Sequence, residues 1–127
     1  MASSLKMKLP EFHFEYGYLE FARPTLTEAL DKLLNKSVRR IIAIPAMLFA
    51  AGHTKNDIPT LLRNYSEKNG VNIEYGRELG LNNLMIGAAG ARIREVIDKS
   101  KTFPESETLL VVVGRGSADP DANSNVS

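Results

Sequence analysis

The chain has 127 residues, 43% of them hydrophobic and 24% charged, with 16 basic against 15 acidic side chains and a net charge of +1. That length and balance fit one soluble globular domain with a single core; they exclude a disordered or collagen-like chain and disfavour a nucleic-acid module, which needs surplus Lys and Arg to neutralise phosphates. Cysteine is absent, which excludes disulfides, thiolate nucleophiles, zinc knuckles and iron–sulfur clusters. The longest apolar runs, such as residues 41–51, fall short of the roughly 20 residues of a membrane-spanning helix. Residues 1–10 have no continuous apolar stretch of the kind a signal peptide carries, so a loose leader and a cytoplasmic protein are expected.

In chain order, residues 11–19 alternate apolar and aromatic side chains at 12, 14, 16 and 18 with polar or small ones, the period of a strand. Arg23-Pro24-Thr25 then offers a break and a cap, and Leu26, Ala29, Leu30, Leu33 and Leu34 form an amphipathic stripe that predicts a helix over 25–36. Residues 38–45 are short, β-branched and almost continuously apolar, as in a parallel strand covered on both faces. Ile58, Leu61, Leu62 and Tyr65 predict a helix over 55–69, stopped by Gly70. Residues 71–75 alternate again as a strand. Asn82-Asn83 then caps a long helix reaching about Lys99, and the run 108–113 gives the strongest strand pattern of all.

The order β, α, β, α, β, α, β predicts an α/β fold: a three-layer domain over 11–117, with a mainly parallel four-stranded sheet flanked by helices, followed by a polar tail over 118–127. Ligands in such sheets gather at loops leaving the carboxyl ends of strands, here 20–25, 47–57, 76–82 and 114–123. His53 lies in the second of these loops. A neutral imidazole there can bind a borderline metal ion or act as a base, the alternative being a loop or capping histidine. Glu20 can take protons or help hold a divalent cation, or it is an exposed strand-end acid. His13, between Phe12 and Phe14, reads as a strand-surface residue, and Asp57 as a first-turn acid of a helix. Gly114-Arg115-Gly116-Ser117 resembles an anion-cradling turn but lacks both the Walker and the dinucleotide-binding spacing.

Three strings together resemble the class II chelatases, specifically sirohydrochlorin cobaltochelatases of the CbiX type. They are Ile44-Pro45-Ala46-Met47-Leu48-Phe49-Ala50-Ala51-Gly52-His53-Thr54-Lys55-Asn56-Asp57-Ile58-Pro59, the segment Tyr18-Leu19-Glu20-Phe21-Ala22-Arg23-Pro24, and Val112-Val113-Gly114-Arg115-Gly116-Ser117-Ala118-Asp119-Pro120 with the residues up to Asn123. The resemblance implies insertion of Co²⁺, or in relatives Fe²⁺ or Ni²⁺, into sirohydrochlorin, with the metal as substrate and no permanently bound cofactor. It implies metal and proton handling by His53 and Glu20, and contacts from Arg115, Ser117 and Lys55 to the macrocycle's carboxylates. A sheet lacking a central strand exposes unpaired backbone groups, which predicts a homodimer or larger assembly, and the resemblance points the same way; the charge balance and the short apolar runs predict neither nucleic acid nor membrane as a partner. The chain departs from the family pattern in lacking, before Glu11, the first strand with its His-Gly-Ser ending and in lacking the Cys- or His-rich tails of some relatives; the nearest counterpart of that ending is Gly114-Arg115-Gly116-Ser117, with arginine in the histidine's place, and a guanidinium does not ligate a cation. The order of the strings is that of the end of one repeat joined to the start of the next. Two other readings stand beside this one: a non-catalytic tetrapyrrole- or metal-binding module, and a generic anion-binding α/β domain using the glycine turn.

Overall fold

Two of the short β-branched stretches find each other. In the computed structural model, which describes residues 2–99 and 103–125, β1 (Arg40–Ala43) and β2 (Asn72–Tyr75) pair in parallel, with Ile41 opposite Ile73 and Ala43 opposite Tyr75. Arg40 reaches diagonally across the ladder to Glu74 through two hydrogen bonds of 2.7 and 3.0 Å. The chain forms two units, one built from the residues up to Ala43 and from Asp57–Tyr75, the other from Ile44–Asn56 and the residues from Gly76 onward.

The first unit holds most of the core. Its helix α1 (Ala2–Lys8) buries nothing, whereas α2 (Leu26–Leu34) buries Ala29 and Leu30. Helix α2 starts where it does because Thr25 and Glu28 form a reciprocal cap: Glu28 N–H donates to Thr25 Oγ1 at 3.2 Å and Thr25 N–H to Glu28 Oε2 at 2.7 Å. Helix α3 (Ile58–Asn69) buries Ile58, Leu62 and Tyr65 on one stripe and ends at Gly70 with φ of 63°, the left-handed stop expected there. Tyr65 Oη donates to Asp31 Oδ1 at 2.6 Å, tying α3 to α2. Burial, then this bond to a carboxylate, pushes the phenol up to about 12. Ile41 and Val71 complete this core.

The second unit is looser. It carries most of a π-helical turn (His53–Asp57), α4 (Asn83–Lys99), a 3₁₀ turn (Glu105–Glu107) and α5 (Pro120–Ser124). Helix α4 starts under Asn82, whose Oδ1 accepts from Leu84 N–H at 2.9 Å, yet none of its residues is buried. Ala122 of α5 and Pro45 are buried in this unit.

The expected four-stranded sheet needs correction. Among the described residues the sheet has two strands and not four. Residues 11–19 contribute one isolated bridge, Tyr18 to Thr25, made by Tyr18 N–H to Pro24 O at 2.8 Å and Leu26 N–H to Tyr18 O at 2.9 Å. Gly17 permits that approach, since a Cβ there would lie 2.7 Å from both Leu26 Cα and Thr25 O. Residues 108–113 are extended but pair with nothing in a ladder, and their apolar side chains stand in solvent, Leu109 at 86% and Val113 at 87% exposure. An apolar pattern selects a strand only where a neighbouring strand accepts its backbone groups. Residues 1–10 and 118–127 each contain a short helix, α1 and α5; Met1, Val126 and Ser127 lie outside the described residues. No helix among the described residues is long and apolar enough to cross a membrane.

Candidate active site

The segments that follow β1 and β2 in the chain are stitched together by backbone bonds, Leu79 N–H to Met47 O at 2.9 Å and Gly80 N–H to Leu48 O at 2.8 Å. Pro45 is buried at the start of the first segment. This anchored stretch delivers the chain into the π turn His53–Asp57, a rare geometry that is concentrated at functional positions because it costs regular helical hydrogen bonding. Thr54 pins the turn from inside: it is buried, and its hydroxyl donates to Met47 Sδ at 2.9 Å. His53 and Lys55, on either side of Thr54, are exposed. Asp57 occupies the N-cap position of α3 but makes no capping bond with its side chain.

Lys55 meets the opposite end of the same unit. Its Nζ lies 2.6 Å from Asp119 Oδ2 and 3.0 Å from Asp121 Oδ2. Hydrogen bonding to the ammonium holds the Asp119 carboxyl below its ordinary range, and the two carboxylates raise Lys55 above its own. The acids are presented by a tightly knit segment. Ser117 N–H donates to Asn123 Oδ1 and Asn123 Nδ2 to Ser117 O, both at 2.8 Å. Asp119 N–H donates to Ser117 Oγ at 3.1 Å, and Asp119 Oδ1 caps α5 by accepting from Asp121 N–H at 3.0 Å. Just before this knot lies the glycine turn, with Arg115 exposed and Gly116 at φ of 78°.

Of the residues singled out from sequence, the second unit thus holds His53, Lys55, Arg115 and Ser117, with Lys55 and the Ser117 segment joined through Asp119 and Asp121. Glu20 belongs to the first unit, in an exposed bend just after the Tyr18 bridge. The next residue, Phe21, is fully exposed with φ of 61°, a left-handed backbone that a bulky side chain seldom adopts and that marks the corner carrying Glu20 as strained. A surface pocket of about 470 Å³ in the same unit is lined by Arg23, Pro24, Glu28, Asp31 and Lys32 and includes none of the predicted site residues. Among the described residues no three His, Asp or Glu side chains converge as a ready-made metal site. Sequence reasoning placed Asp119 and Asp121 in the 114–123 loop and the polar tail but assigned them no role. The signal that could have found them is Asp119-Pro120, an N-cap acid followed by proline at the first helical turn.

Residues 1–96 match the family model described as CbiX. This chain belongs to the CbiX family. It is 36% identical over 113 residues to the sirohydrochlorin cobaltochelatase of Priestia megaterium, covering 88% of this chain and 37% of that one. It is 29% identical over 114 residues to the sirohydrochlorin ferrochelatase of Bacillus subtilis (strain 168), covering 89% and 42%. Against the sirohydrochlorin cobaltochelatase of Sulfurisphaera tokodaii the identity is 40% over 87 residues, covering 68% and 69%. The chain therefore spans about two fifths of the length of the first two relatives. The crystal structure of a CbiX protein from Marinobacter aquaeolei VT8 aligns with a TM-score of 0.64 at 22% identity, over 77% of this chain and 83% of the other, and so shares the fold of this CbiX chain.

Proposed function

We propose that this chain carries out, or is part of the machinery for, insertion of a divalent metal into sirohydrochlorin, with Co²⁺ the preferred metal and Fe²⁺ or Ni²⁺ the alternatives. The observation that carries the reading is His53: an exposed imidazole on a π turn, inside the stretch that matches the CbiX model. Insertion requires a donor that holds a divalent ion without trapping it and acceptors for the two pyrrole N–H protons that leave; a neutral imidazole serves as the donor or, once the ion has passed on, accepts one of the protons, and solvent takes the other. A single soft-to-borderline donor on a solvent-accessible turn also releases the ion readily, as a delivery site must. Glu20, on its strained corner, is assigned the same class of role. Arg115, Ser117 and Lys55 are assigned to the macrocycle's carboxylates, with Arg115 suited to bidentate contact.

One observation favours a second reading. Arg115 replaces an imidazole with a fixed cation that cannot ligate metal, which suits a module that holds the tetrapyrrole without metallating it. Anaerobic absorbance of sirohydrochlorin with Co²⁺ separates the two: conversion of the metal-free band above the uncatalysed rate supports the chelatase, while a shifted but unconverted band supports the binding module. The exposed apolar run 108–113 supports a homodimer or larger assembly in which that run acquires a neighbour. Light scattering after size exclusion tests this, and a clean monomer would count against it.

A further inference from the structure

We propose that Asp119 and Asp121 are built-in competitors for Lys55, occupying its ammonium in the free protein and yielding it to the carboxylates of an incoming polycarboxylate macrocycle. The inference rests on the functional reading above and adds to it a contact that must be exchanged when substrate binds. Lys55 lies two residues beyond His53 on the same π turn and is the residue assigned above to the macrocycle's carboxylates. Its ammonium has three donors, and two of them already point at carboxylate oxygens, at 2.6 and 3.0 Å. One cation facing two anions leaves a net negative charge at that spot, so a ligand carboxylate approaching Lys55 meets repulsion until the aspartates withdraw.

The two acids are unequal in a way that suits exchange. Asp119 is 18% exposed, and its backbone and carboxylate are fixed by Ser117 and by the first turn of α5, whereas Asp121 is 83% exposed and is the outer partner. Ion pairs at such accessible positions are weak, so a ligand that brings several carboxylates can displace them. The swap costs no new buried charge, because one carboxylate replaces another on the same ammonium.

The test uses the full chain and uroporphyrin, a metal-free octacarboxylate macrocycle, with binding read from porphyrin fluorescence. The variant Asp119→Asn with Asp121→Asn should bind tighter than the unaltered chain, by up to about fivefold for each pair removed. Asp121→Asn alone, at an exposed position that leaves the α5 cap intact, should bind tighter by a smaller factor. Adding Lys55→Met should abolish the gain, and the uncharged octamethyl ester should distinguish none of these proteins. Unchanged or weaker binding by both Asn variants, a gain that survives Lys55→Met, or no binding by any of them would each overturn the proposal. Tighter binding without cobalt insertion would instead sink the chelatase reading alone, and insertion without the gain would sink only the competition.

Discussion

Residues 38–45 and 108–113 are nearly the same kind of sequence, β-branched and apolar on both faces, and they end in different states. The first yields β1, which finds β2 and buries Ile41; the second stays extended with its side chains in solvent. The difference lies in what stands beside each, since a parallel strand gains its ladder bonds and its cover from neighbours that are distant in the chain. The first unit is therefore organised around a core, and the second around backbone stitches and one ion-pair knot.

That contrast is broken most sharply by paired truncations. Ile41→Ala removes buried volume and is expected to cost about 2–5 kcal/mol in urea unfolding, while Val112→Ala should stay within about 0.5 kcal/mol; a comparable loss at Val112 would mean that the run is paired in solution. Next in size, Gly17→Ala forces a Cβ to within 2.7 Å of the α2 backbone, and a loss of about 1–3 kcal/mol is expected from the same measurement. The Tyr65 phenol sharpens the comparison through pH. Because its pKa is raised in the folded state, the stability it contributes is complete below about pH 10 and is lost as pH rises towards about 12. Melting temperature should fall over that window more steeply in the unaltered chain than in Tyr65→Phe. The smallest effect is expected at the exposed Arg40–Glu74 pair, where Arg40→Ala should leave the urea midpoint nearly unchanged, with any difference shrinking further in high salt.

What could be read from the sequence follows the same division. Helices α2, α3 and α4 were legible because their signals are local: the Thr25–Glu28 capping box, Gly70 as a stop, and Asn82 as a cap. Strands β1 and β2 were legible as patterns, but patterning could not say that residues 11–19 would make a single bridge or that 108–113 would go unpaired. At the site, His53 and its surrounding string were legible. The π geometry beneath it was not, because it depends on which carbonyl each amide reaches. Nor was the Lys55 knot, which joins residues far apart in the chain and turns an expected substrate contact into one already engaged by Asp119 and Asp121.

The central claim is that the π-turn histidine serves metal insertion. It is tested most directly by single-turnover conversion of sirohydrochlorin with Co²⁺ under anaerobic conditions, comparing the unaltered chain with His53→Ala after both are shown to be folded by circular dichroism. The account predicts acceleration over the uncatalysed reaction that His53→Ala loses. Equal acceleration by the two proteins would contradict it.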